Sequence, residues 1–109
     1  MSSKHDEKRA VERFPVSSAA GCTFASPVLE DFGPVRLVNV SPHGVGFVTG
    51  QPLAAKMLVA MSLANPAKKF SKTMLVRVVH ATAQPGVSYL VGGAFETPLT
   101  YEELCALVM

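Results

Sequence analysis

Two stretches of strict alternation, Thr73 to Thr82 and Val87 to Phe95, flank the tripeptide Gln84-Pro85-Gly86. A period of two sends successive side chains to opposite faces of an extended chain, so each stretch reads as a half-buried strand. In the first, Met74, Val76 and Val78 fall on one face and Leu75 and Val79 on the other; in the second, Tyr89, Val91 and Phe95 share a side. Proline pre-sets φ and glycine accepts a positive φ, which makes the tripeptide between them a hairpin turn. Such a hairpin must bury one face against further strands.

The rest of the chain supplies them. Val16 to Ala25 is a weak candidate, rich in Ser and Ala; Val35 to Val40 alternates, with Val35 and Leu37 on one face. Ser41-Pro42-His43-Gly44 then turns the chain into Val45 to Thr49, and Met57 to Leu63 is stopped by Asn65-Pro66. The basic stretch Lys68-Lys69-Phe70-Ser71-Lys72 reads as a polar hairpin connection. Near the C-terminus, Thr100-Tyr101-Glu102-Glu103 has capping-box spacing, with Leu99 and Leu104 placed to form a hydrophobic staple. Leu104, Leu107 and Val108 give the helix that follows, at about 100–108, a one-sided apolar stripe. A helix this short is not stable alone in water and must dock. The expected fold is all-β with one C-terminal helix: a six-stranded antiparallel β-barrel over 15–109, preceded by a flexible basic arm over 1–14.

Composition narrows the function classes. With 109 residues, 49% of them hydrophobic, the chain suits one globular core. No apolar run approaches the roughly 18–20 residues that cross a bilayer, so no membrane association is expected. The charged opening Met1 to Arg9 has no apolar region behind it and does not resemble a secretory signal, which points to a cytoplasmic protein. A net charge of +2 is too small to imply nucleic-acid binding. Cys22 and Cys105 are far apart in apolar company and read as buried, reduced thiols. His5, His43 and His80 are scattered, without metal-ligand spacing, and neither metal nor cofactor is expected. No catalytic set is expected either: Ser41 and His43 sit two apart on a turn, with no acidic residue placed to complete a triad.

Two short motifs remain. Lys8-Arg9-Ala10-Val11-Glu12-Arg13 places Arg9 and Arg13 four apart just before the first strand. Alone, it is explained as a solvated charge run. Asn39-Val40-Ser41-Pro42-His43-Gly44 ends one strand and opens the next, and alone it is explained as a tight turn. In this order, and followed by Tyr89-Leu90-Val91-Gly92-Gly93-Ala94-Phe95 as closing strand, they resemble the PilZ domain family over about Lys8 to Val108. The asparagine at position 39 is one of the two residue types that the family pattern admits there.

The resemblance implies a six-stranded PilZ-type barrel that binds the bacterial second messenger cyclic di-GMP. It assigns Arg9 and Arg13 to an arm that wraps the ligand, and Asn39, Ser41 and Gly44 to the wall on the barrel side. Lys8 would add to the positive field, and Gly92 or Gly93 would let the ligand approach the closing strand or mark a bulge there. The chemistry is apt. A guanidinium pairs bidentately with the O6 and N7 edge of guanine, stacks on a purine or meets a phosphate. Asn39 offers a donor and an acceptor, Ser41 a hydroxyl, and Gly44 a close backbone approach or a positive φ. The ligand's occupancy would be relayed by contact to an effector protein that the sequence does not identify. The alternative is a PilZ-like barrel that serves as a protein-interaction module without nucleotide.

Overall fold

The computed structural model describes residues 13–25 and 34–109, which form an antiparallel sheet and a terminal helix. The strands are β1 (Phe14–Pro15), β2 (Gly21–Phe24), β3 (Arg36–Ser41), β4 (Gly44–Thr49), β5 (Leu58–Asn65), β6 (Phe70–Gln84) and β7 (Ser88–Phe95). The helix α1 spans Tyr101–Val108. The seven strands lie in the order β1-β3-β4-β7-β6-β5-β2, every neighbouring pair antiparallel. Mostly antiparallel β with one C-terminal helix is therefore the architecture. One strand more than the expected six is present, because Phe14–Pro15, at the junction of arm and barrel, pairs with Asn39 and Val40 on β3.

The alternation sorts the faces. Met74, Val76 and Val78 are buried, whereas Leu75 and Val79 stay about half exposed. Val45 and Phe47 of β4, Leu37 and Val40 of β3, and Val91 of β7 complete an inner layer. The sheet curls on itself: Phe24, on the edge strand β2, meets Phe47 of β4 edge-to-face with ring centroids 6.1 Å apart. No ladder joins β2 to β1 or β3 among the described strands, so the sheet is a curled half-barrel.

Helix α1 covers the core with Leu104 and Leu107, and Leu99 is buried beside them. Its start is the expected capping box, with Thr100 Oγ1 accepting from Glu103 N at 3.2 Å and Thr100 N donating to Glu103 Oε1 at 2.9 Å. The hydrogen bond from Lys72, with that from the Thr100 backbone, holds the Glu103 carboxyl below its ordinary range. At the other end, buried Asn65 donates from Nδ2 to the Ala106 carbonyl at 2.8 Å and accepts from Ala67 N at 3.1 Å. The 3-10 turn Pro66–Lys68 and left-handed Lys69 already complete the connection to β6, so Phe70 and Lys72 belong to a strand and not to a loop. Phe70, Ser71 and Lys72 pair with Asn65, Ala64 and Leu63 of β5, and the Lys72 Nζ lies 2.6 Å from Glu103 Oε2.

Both cysteines are free, Cys22 buried and Cys105 half-buried. Burial pushes the Cys22 thiol up to about 12. A thiol this far above neutrality stays protonated and is a poor nucleophile. In a Cys105→Ser background at pH 8, Cys22 is expected to resist iodoacetamide in buffer and to label rapidly in urea. Equal rates under the two conditions would contradict this burial. Among the described residues no helix is long and apolar enough to cross a membrane.

Candidate functional site

Three rows of residues cross the outer face of the sheet, one from each level of the β3-β4-β7-β6 ladder. The register gives Arg36-Val48-Leu90-Thr82, then Asn39-Gly46-Gly92-His80, then Ser41-Gly44-Ala94-Arg77. The middle row is the unusual one, with two glycines side by side and a polar side chain at each end.

Two bulges put those end residues there. On β3, Leu37 pairs with Phe47 and Val40 with Val45, both pairs on the buried face. Simple alternation from Leu37 would turn Asn39 inward. The irregularity between Leu37 and Asn39 shifts the parity and sets Asn39 opposite Gly46 on the outside. On β6, Val76 and Val78 face the core, and alternation would next turn His80 inward. The irregularity between Val78 and His80 again shifts the parity, and His80 lies opposite Gly92 on the outside.

The missing β-carbons of the two glycines are what the end residues use. A Cβ on Gly46 would stand 2.5 Å from Asn39 Oδ1, and one on Gly92 would stand 2.7 Å from His80 Cε1. Asn39 and His80 therefore fold down onto bare backbone from the two sides. Arg13, at the start of β1, completes the near side. Its Nη1 donates to Asn39 Oδ1 at 3.4 Å, a long hydrogen bond. Its Nη2 lies 3.2 Å from the Cβ position of Gly44, so the guanidinium spreads over both glycines of β4. Partial burial pushes the Arg13 guanidinium down from its ordinary value, and it remains charged at neutral pH. The ion pairs among the described residues are Lys72–Glu103 and Arg77–Glu96, so this partly desolvated cation faces a neutral carboxamide.

The result is a cleft of about 280 Å³ lined by Arg13, Asn39, Gly46, His80, Leu90, Val91 and Gly92. A hollow of similar size, about 300 Å³, lies against β2 and β5, but its lining from Ala19 to Pro66 carries no charged side chain. Chemically, the first cleft offers a cation, an amide donor and acceptor, and an imidazole around a flat floor. Among the described residues no group of three His, Cys, Asp or Glu is placed to hold a metal ion.

Of the residues singled out from sequence, Arg13, Asn39 and Gly44 come together here. Ser41 pairs with Gly44 at the hairpin end and is buried. Gly44 serves by close approach, since positive φ among the described glycines is confined to Gly86. Gly93 lies elsewhere: it pairs with Val45 and Val78, and a Cβ there would run into the buried Val76 side chain. Its neighbour Gly92 takes the place on the outer floor. Arg9 and Lys8 lie outside the described residues. Gly46 and His80 were not legible as site residues. The one available signal was a histidine standing where Met74, Val76 and Val78 call for another apolar residue.

Compared with protein-family models, with curated proteins and with solved structures, the chain matches none.

Proposed function

We propose that the outer face of the β3-β4 hairpin is a nucleotide site, and that the protein is a PilZ-type receptor for cyclic di-GMP. One observation carries the reading: Arg13 bonds Asn39 and lies over Gly44, so residues 26 to 31 positions apart in the chain meet at one point. A packed sheet has no need of that arrangement, because none of these side chains enters the core. It supplies instead a guanidinium beside an amide, the pair of groups that reads a guanine edge or grips a phosphate. In this reading Arg9 and Lys8 approach from the arm, Ser41 braces the hairpin side, and the half-barrel is the PilZ-type barrel. Occupancy is passed to a partner protein in the cytoplasm, without catalysis and with no further cofactor.

The direct test is calorimetric titration with cyclic di-GMP, with GMP and cyclic di-AMP as controls. Saturable, guanine-selective binding at micromolar affinity or tighter is the expected result. No heat and no competition at high ligand concentration would overturn the reading. A second reading, a protein-interaction module without nucleotide, draws on the exposed apolar side chains Leu58, Leu75 and Val79 around β5 and β6. It then becomes the better one, and a partner pull-down the next step.

Gly46→Ala separates the site from the fold. The added methyl group meets the tip of Asn39 and, at 3.3 Å, Arg13 Nη1, and both are ends of flexible side chains. They swing away at small cost to stability. The melting temperature is expected to hold within a few degrees, while cyclic di-GMP affinity falls at least roughly tenfold, about 1.4 kcal/mol. Unchanged affinity would place the ligand elsewhere.

A further inference from the structure

We infer that His80 is a ligand-binding residue, presenting the imidazole that rests on Gly92 to a planar base held in the cleft opposite Arg13. The inference rests on the nucleotide reading above and names the side chain that meets the base from β6.

Three independent features converge on it. First, His80 reaches the outer face through a bulge, and so does Asn39, at the two ends of the same cross-strand row. Bulges re-aim side chains beside binding sites as well as bending strands. The β4–β7 and β5–β6 ladders run without irregularity, and the two bulges fall beside the two ends of the glycine pair. Second, the imidazole rests over Gly92, with Cε1 2.7 Å and both ring nitrogens 3.3 Å from the Cβ position, and so occupies space that any other residue would fill. Third, the groups around the floor are complementary in chemistry. Arg13 is a cation and Asn39 a donor and acceptor on one side, while an imidazole offers on the other a π face and a further polar edge. Leu90 adds an apolar flank.

Size fixes what fits. Sites that take whole drug-sized ligands run to roughly 300–1,000 Å³, and this cleft holds about 280 Å³. It accommodates one base, leaving the ribose and phosphate portions of a dinucleotide toward Arg13. Asn39 and Arg13 cover the Gly46 backbone and His80 covers that of Gly92, so a base entering the cleft meets the outward faces of these side chains and not the backbone itself.

The test titrates cyclic di-GMP into wild-type protein and into His80→Ala, His80→Phe and His80→Asn, each checked for an unchanged melting temperature. Because His80 is exposed, none of these changes empties the core. Loss of a base-stacking side chain corresponds to roughly 5- to 150-fold in affinity. His80→Ala is expected to weaken binding within that range. Recovery by His80→Phe identifies stacking, and recovery by His80→Asn identifies a polar contact; either supports the assignment. Wild-type binding that Arg13→Ala removes but His80→Ala leaves within threefold would overturn the role of His80 and spare the nucleotide reading. Absence of binding by wild-type protein would overturn both.

Discussion

Arg13→Ala is expected to lower cyclic di-GMP affinity roughly 30- to 5,000-fold, the effect of deleting one partner of a desolvated charged contact. The side chain is a cation partly withdrawn from water that lies beside Gly44 and Gly46 of β4, with a long hydrogen bond to Asn39. A ligand group that pairs with it meets a cation already positioned beside the Asn39 amide. Stability should barely change, since Arg13 is exposed and enters no ion pair with the described carboxylates. Arg13→Lys is the sharper comparison. It keeps the charge and loses the planar fork, so an intermediate affinity separates geometry from Coulomb attraction. A loss of less than threefold in Arg13→Ala, by titration calorimetry on protein with a native circular-dichroism spectrum, would remove this residue from the site.

Phe47→Ala is expected to have the largest effect on the fold. Phe47 is fully buried between Leu37 of β3 and Val91 of β7, and its ring meets Phe24 across the core. Emptying such a position destabilises by about 3–5 kcal/mol, set against the roughly 5–15 kcal/mol that domains possess in total. The loss is more than packing, because the Phe24–Phe47 contact is what draws the free edge β2 over the core. Urea unfolding should show a large fall in midpoint. A change of under about 1 kcal/mol would mean that the curl is held by the helix end, through Asn65 and the Leu107 carbonyl that accepts from Ser17 N at 2.9 Å.

Where the sequence was legible, a single physical rule governed it. Alternation in β6 and β7 predicts which face is buried because no turn or irregularity interrupts it until Val78. The capping box at Thr100 and Glu103 is local chemistry, readable from four residues. The site was half legible for the opposite reason. Arg13, Asn39, Ser41 and Gly44 stand out as a pattern of residue types, whereas His80 and Gly46 matter only through register. A bulge changes parity by one residue, and its trace in the sequence here is only a polar residue at a position that alternation turns inward, as at His80. The same arithmetic separates Gly92 from Gly93: adjacent in the chain, they serve opposite faces of the sheet, one at the outer cleft and the other against Val76.

The shortness of β1 has a consequence for how copies of this protein behave in a crowded solution. A sheet edge with free N–H and C=O groups is a template for strand addition and aggregation. Here the outer edge of β3 is occupied at Asn39 and Val40 by a two-residue strand, and the Val38 carbonyl accepts from Val16 N at 3.3 Å. Pro15 has no N–H to offer an incoming chain. The segment that carries Arg13 to its place thus also seals the border of the sheet, and a variant that loosens it would expose a sticky edge and dismantle the cleft in one step.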